Sequence, residues 1–315
     1  MTKYDVIVIG GGAAGLSGAQ ALVRSRRSVL VVDDGTPRNA PADGVHNFLT
    51  RDGVPPQDLY AIGRREVRAY GGDFADGTVT AARRDDDGFT VEVSDGTTYR
   101  SRRLLVATGL SDVLPDVPGL ADRWGKDVVH CPYCHGWEVR DQAIGVLATS
   151  SMALHQVQLF RQLSDDVTLF LHTAPEPTEE QWEELAARGI SVVQGKVEQV
   201  EVTDDKLRGV RLKGGKVVPR QALAVQTTVR ARAGFLTDLG LQATLVEANG
   251  LEVGTAIHVD ARGATEAPGV FAAGNVTNPM AQVMPSAAAG LMAGAALNYD
   301  LIEEETRLAV AARSR

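Results

Sequence analysis

The chain is predicted to be an α/β protein of two units built on parallel sheets, and three stretches of sequence carry that expectation. Near the N-terminus a β-branched run, Tyr4 to Ile9, meets a glycine turn, a helical stretch from Leu16 to Arg24 and a second buried strand from Ser28 to Val32. In the middle, Ala143 to Leu147, Met152 to Leu163 and Val167 to His172 repeat the order strand, helix, strand. Towards the C-terminus, Ala267 to Asn275 reads as a buried strand ending in a turn, followed by a small-residue helix from Ser286 to Asn298.

The first stretch has a ligand-binding grammar. Gly10-Gly11-Gly12-Ala13-Ala14-Gly15 follows the strand and opens the helix, as a GxGxxG dinucleotide turn does. Gly10 makes the turn, Gly12 lets the backbone approach a pyrophosphate, and Gly15 lets helix and strand pack closely. The helix N-terminus, which Ala14 and Gly15 lead into, faces the phosphates with unpaired N–H groups. Asp33, at the end of the second strand, is placed to accept from a ribose, with Asp34 as the fallback. An acid there favours an unphosphorylated ribose, hence FAD or NAD over NADP.

Composition bounds the rest. At 315 residues the chain is long enough for two domains, and 44% hydrophobic with 23% charged residues is the balance of an ordinary globular protein. A net charge of −8, from 40 acids against 32 bases, argues against a nucleic-acid partner. No stretch approaches the roughly 20 apolar residues of a membrane span. With only two cysteines and a buried strand in place of a signal peptide, the expectation is a cytoplasmic protein that keeps its thiols for chemistry.

Those two cysteines lie together in His130-Cys131-Pro132-Tyr133-Cys134-His135. A disulfide across two intervening residues closes too small a loop to add much stability, but it exchanges readily, one thiol attacking while the other resolves. Zinc is the rival, since two histidines flank the pair. Adjacent residues rarely turn both side chains onto one tetrahedral ion, and no second CxxC or HxxxH pair exists, so no metal is assigned.

The C-terminal run Ala267-Pro268-Gly269-Val270-Phe271-Ala272-Ala273-Gly274-Asn275 resembles the second FAD motif of the pyridine-nucleotide-disulfide oxidoreductases, which Ala107-Thr108-Gly109 after the strand Leu104 to Val106 completes. The resemblance implies FAD, with Thr108, Gly109, Gly274 and Asn275 among its ligands and Gln282-Val283 beside the isoalloxazine ring; Asn47 is counted with them. Asn275 stands where the family has aspartate, keeping an acceptor for a ribityl hydroxyl and losing the charge.

FAD motifs at both ends imply a discontinuous FAD-binding domain, 1–116 and 246–315, interrupted by an inserted NAD(P)-binding-like domain, 117–245, that carries the CxxC. Both domains are then Rossmann-like. Pro115, Pro118 and Gly119 mark the first crossover and Gly240 to Gly250 the second. The insert continues with an amphipathic helix, Glu179 to Arg188, and strands at Ser191 to Val202 and Lys206 to Leu212.

This order is similar to low-molecular-weight thioredoxin reductases over nearly the whole chain. Cys131-Pro132-Tyr133-Cys134-His135-Gly136-Trp137-Glu138 more closely resembles the subgroup of dithiol oxidases that close disulfides in gliotoxin- and holomycin-type natural products. The likeness implies that Cys134 lies against the flavin as the thiolate charge-transfer partner and that Cys131 exchanges with the external thiol. His135 takes the place of the family's proton-shuttling acid, a task that suits a group titrating near neutrality. A homodimer is expected from the family alone. Tyr133 and Trp137 are candidates to line a substrate pocket or simply to pack.

The family's second GxGxxA loop is missing. Ala148-Thr149-Ser150-Ser151-Met152-Ala153 stands in its place, and Leu171-His172-Thr173 replaces the arginines that hold a 2′-phosphate. Side chains there push a pyrophosphate from the backbone, which puts NADP(H) or NAD(H) binding in doubt. Three readings follow: an oxidase of a small-molecule dithiol with oxygen as acceptor, which the degraded loop favours; an NADPH-dependent reductase of a thioredoxin-like protein; and a non-catalytic flavoprotein reporting redox state.

Overall fold

A computed structural model describes residues 3–248 and 250–313. By internal contacts the chain divides into two compact units: Met1–Ala40, Val54–Ser111 and Val229–Arg315 form the first, Pro41–Gly53 and Asp112–Thr228 the second. The expected division placed 41–53 with the first unit and 229–245 with the second; the contacts group each the other way. A loop's allegiance is decided by its tertiary partners, and neither segment carries a periodicity that names them.

In the first unit β1 (Lys3–Ile9), α1 (Ala13–Arg24), β2 (Val29–Asp33), α2 (Pro56–Ala69), β3 (Asp73–Asp76), β4 (Val79–Asp85), β5 (Gly88–Val93) and β6 (Thr98–Val106) follow one another. The sheet order is β3-β2-β1-β6, with Val270–Ala272 parallel to β6 and the antiparallel strands β5 and β4 beyond it. Strands β1, β2, β3 and β6 pair in parallel, and the centre of β1 is fully buried, as a strand covered on both faces should be.

The C-terminal helix runs Val283–Arg313, well past the expected end at Asn298. Its small-residue half packs on α1, and its polar extension is held by ion pairs: Asp300 to Arg103 at 2.5 Å, Glu304 to Arg102 at 2.7 Å and Glu305 to Arg27 at 2.5 Å. The Arg27 and Arg102 guanidiniums pull the Glu305 carboxyl down to about 2. An acidic run such as Glu303-Glu304-Glu305 reads in sequence as solvent-facing, and only the fold supplies its three arginines.

The second unit holds a five-stranded parallel sheet in the order Ser191–Val193, Val167–Phe170, Ile144–Leu147, Ala222–Val225, Val128–Val129. Beside it lies an antiparallel trio, Val197–Thr203, Lys206–Leu212 and Val217–Pro219. The single strand expected from Ser191 to Val202 is therefore two, broken where Gly195 takes a left-handed φ of 103° and the chain leaves one sheet for the other.

The two helices that flank the glycine turn are in backbone contact. A Cβ at Gly290 would come within 1.9 Å of the Ala14 carbonyl oxygen, and one at Gly294 within 2.7 Å of the Gly18 carbonyl oxygen. Gly290→Ala gains about 1 kcal/mol of helix propensity, yet overpacking against a backbone oxygen costs about 1–3 kcal/mol and no rotamer relieves it. Thermal unfolding is expected to show a net loss of stability together with weaker flavin retention; an unchanged or raised Tm contradicts the close-packing account.

Candidate functional site

The glycine turn of the first unit is shaped by its neighbours. Gly10 has φ 104°, and a Cβ there would lie 2.4 Å from the Ala107 carbonyl oxygen; one at Gly15 would lie 1.8 Å from the Gly10 carbonyl oxygen. A Cβ at Gly12 would meet nothing within 4 Å, so that glycine faces open space. Gly12 caps α1 without any side-chain hydrogen bond, and no acid sits in the first turn that carries Ala14. Orphan N–H groups and open space together fit a pyrophosphate.

Asp33 closes the turn from the other side. Its Oδ1 accepts from the Gly11 N–H at 2.8 Å and its Oδ2 pairs with Arg64 at 3.2 Å. Arg64 also reaches Asp76 at 2.8 Å and lies over the Phe74 ring. Asp34 accepts from Thr36 and pairs with Arg232 at 3.2 Å. Thr108 donates its hydroxyl to the Arg232 carbonyl at 2.6 Å, and Arg232 N–H donates to the carbonyl of Gly109, whose φ is 67°. Arg64 and Arg232 have no signature in the sequence, because a surface-type arginine on a helix or loop has no spacing that ties it to an acid far away in the chain.

Gly274, with φ 83°, brings the returning strand against α1, where a Cβ would sit 2.7 Å from Ala14 Cβ. Asn275 next to it does more than retain an acceptor. Its amide donates to the carbonyl oxygens of Ala281 at 2.7 Å and Asn278 at 3.1 Å, bracing the loop that leads to Gln282 and Val283, the start of the C-terminal helix. An aspartate lacks that donor. Both halves of the FAD motif thus converge on the first turn of α1, and the residues present fit FAD.

In the second unit Cys131 is extended and precedes the one-turn helix Pro132–His135, which Pro132 begins. The Cys131 carbonyl accepts from Cys134 N–H at 3.2 Å and His135 N–H at 3.1 Å. That turn sets the two Sγ atoms 2.7 Å apart, both half-buried. Two sulfurs this close in one turn can pass between dithiol and disulfide by exchange.

His135 follows directly. Burial drives its imidazole below the usual histidine range, the fields of Glu138 and Asp43 pull it back up, and that of His46 pushes it further down. Its Nε2 is buried with no hydrogen-bond partner among the described residues. A neutral imidazole with an open ring nitrogen is equipped to accept or return a thiol proton. His130 is differently used: its Nδ1 lies 3.0 Å from the Val225 carbonyl oxygen. Asn47, expected among the cofactor ligands, groups by its contacts with this second unit and donates its side-chain amide to the Tyr133 carbonyl at 2.6 Å.

The loop where a second nucleotide would rest carries side chains where the family has glycines. Ser150 donates to Gln226 Oε1 at 3.0 Å, and the following helix, Ala153–Phe160, opens without a glycine. His172, at the place of the family's arginines, accepts the Val197 N–H on Nδ1 at 3.0 Å. Burial lowers its pKa, with Lys196 adding to the effect, so it offers a phosphate no cation.

Asn275→Asp restores the family residue but places a carboxylate among carbonyl oxygens and removes two donors. The expected result is about 1–3 kcal/mol of lost stability and no gain in FAD affinity, read by thermal unfolding and flavin binding; tighter FAD with an unchanged Tm contradicts the bracing role.

Residues 4–294 match the family model of the pyridine nucleotide-disulphide oxidoreductases. The thioredoxin reductase tcpT of Claviceps purpurea is 35% identical over 253 residues, 76% of this chain and 78% of its own. The thioredoxin reductase sirT of Leptosphaeria maculans is 31% identical over 329 residues, 99% of this chain and 97% of its own. The crystal structure of HlmI aligns with a TM-score of 0.90 at 45% identity, covering 99% of this chain and 96% of that one. A family match over almost the whole length, on a chain whose two FAD half-motifs meet at one helix and whose paired thiols share one turn, makes this protein a member of the pyridine nucleotide-disulphide oxidoreductases, an FAD-dependent disulfide oxidoreductase of the thioredoxin-reductase-like kind.

Proposed function

We propose that this protein is a small-molecule dithiol oxidase that uses oxygen as the final acceptor. The observation that carries the reading is the second nucleotide loop, where Ser150 and His172, at positions that the family resemblance gives to the nucleotide, bond instead to Gln226 and to the Val197 N–H. Without an efficient hydride donor, electrons run from substrate to enzyme.

The thiol steps need only the residues of the dithiol turn. A substrate thiolate attacks Cys131 Sγ of the closed pair, the S–S bond breaks, and Cys134 leaves as thiolate. The second substrate thiolate then attacks its own sulfur in the mixed disulfide, forming the product disulfide and releasing Cys131. His135, held neutral by burial, accepts a thiol proton and returns one to a departing sulfur. FAD, held by the residues of the glycine turn and the returning strand, would supply the two-electron chemistry that restores the disulfide, with oxygen as the acceptor this reading names. Gly10, Gly12, Ala14, Gly15, Asp33, Asp34, Thr108, Gly109, Gly274, Asn275, Gln282 and Val283 are the residues this reading assigns to the cofactor. It also includes the homodimer that the family resemblance implies.

The names of the relatives, thioredoxin reductases, favour the second reading, NADPH-dependent reduction of a thioredoxin-like protein. Anaerobic mixing separates the two. A small dithiol is expected to bleach the flavin band at least about 100-fold faster than NADPH at equal concentration, since a missing donor set costs a few kcal/mol. Rapid bleaching by NADPH with thioredoxin turnover overturns the oxidase reading. Cys134→Ser is expected to keep FAD and lose dithiol bleaching, and full retained activity refutes the role given to that thiol. Because the folded pKa of His135 lies below its ordinary value near 6.5, the neutral base persists as pH falls, and the acid limb of the bleaching rate is expected below pH 6.5.

A further inference from the structure

The segment 41–53 belongs by its contacts to the dithiol unit, although the sequence sets it in the middle of the flavin half. It folds into a closed strap: Gly53 N–H donates to the Val45 carbonyl at 2.8 Å, and a Cβ at Gly44 would already lie 3.2 Å from the Gly53 backbone. At its tip Asn47 takes φ 59°, donates its N–H to Asp52 Oδ1 at 2.9 Å and ties its side chain to the Tyr133 carbonyl inside the CxxC turn. His46 precedes that tie in the strap and meets carboxylates on both ring nitrogens. Its Nδ1 stands 3.4 Å from Asp52 Oδ2 and its Nε2 3.3 Å from Glu138 Oε1, three residues beyond His135.

Asp52, His46 and Glu138 thus form one contiguous ionisable cluster, with His46 the least exposed of the three at 25%, and the Nε2 of His135 is buried without a partner among the described residues. The groups whose fields reach His135 are Glu138, His46 and Asp43, the carboxylates favouring its cation and His46 opposing it. None of His46, Asp52 or Glu138 is needed for sulfur exchange itself, which leaves this cluster without a task in the thiol steps.

We propose that His46 and Glu138 are positioning residues which set the charge of His135, so that the strap 41–53 is part of the acid–base machinery of the dithiol. The inference rests on the reading of His135 as the proton-exchanging group. Glu138 and His46 act with opposite sign: a carboxylate stabilises the imidazolium and a protonated imidazole destabilises it. A purely structural strap has no such sign.

The test is a 13C histidine NMR titration of the FAD-loaded protein, with the His135 signal assigned by its loss in His135→Gln, run beside the pH profile of anaerobic flavin bleaching by dithiothreitol. Glu138→Gln is expected to lower the His135 titration by about half a pH unit or more and His46→Gln to raise it by a similar amount, the scale of one partly screened charge. Glu138→Asp, which keeps the charge, should stay close to the native value. Should His46→Gln not fold, His46→Asn removes the same ring with a smaller amide and is expected to move the titration upward. Shifts of the same sign in Glu138→Gln and in the histidine-side variant, or no shift in either, overturn the proposal. An acid limb of bleaching that survives His135→Gln instead removes the role of His135, a failure visible without reference to the strap.

Discussion

The single constraint on which the chemistry of this protein depends is one turn of helix. With two residues between them, two cysteines can meet only if the backbone curls, and the Cys131 carbonyl enforces that curl by accepting both the Cys134 and the His135 N–H. Gly136 seals the turn, because a Cβ there would lie 2.2 Å from the Pro132 carbonyl oxygen and 2.4 Å from Leu163. From this follow the short sulfur-to-sulfur distance, the half-burial of the thiols and the position of His135, whose burial lowers its pKa. A wider loop would serve a staple better and exchange worse.

The flavin unit obeys a constraint of a different kind, close backbone approach. Gly10 against Ala107, Gly15 against Gly10, Gly274 against Ala14 and Gly290 against Ala14 leave no room for side chains, and together they hold α1 with its unpaired N–H groups open. Asp33 adds a polar lock, one oxygen on the glycine turn and one on Arg64. Loss of charge at Asn275 is offset locally, since the amide gains a bracing function that the family's aspartate could not perform.

Much of this is legible in the amino-acid sequence alone. Alternation of β-branched strands with helices announces both parallel sheets, and the spacing of the glycines at 10, 12 and 15 agrees with a fold in which Gly12 faces open space while Gly10 and Gly15 are crowded by backbone. What sequence cannot supply is long-range polar partners. Arg64 for Asp33, Arg232 for Asp34 and His46 for Glu138 lie 31, 198 and 92 positions apart, and charge attraction leaves no periodic trace. The same reason hides the allegiance of the strap 41–53 and the second half of the C-terminal helix, whose acidic run is satisfied by Arg27, Arg102 and Arg103.

Electron counting addresses the central claim, that the thiol turn and the flavin exchange electrons within one protein. Reducing the oxidised FAD-loaded protein with dithionite in the absence of oxygen is predicted to take up two electron pairs per flavin, one for the Cys131–Cys134 bond and one for the cofactor, and a single pair in Cys134→Ser. Uptake of one pair by the native protein, with the disulfide left intact after the flavin is bleached, would contradict the account.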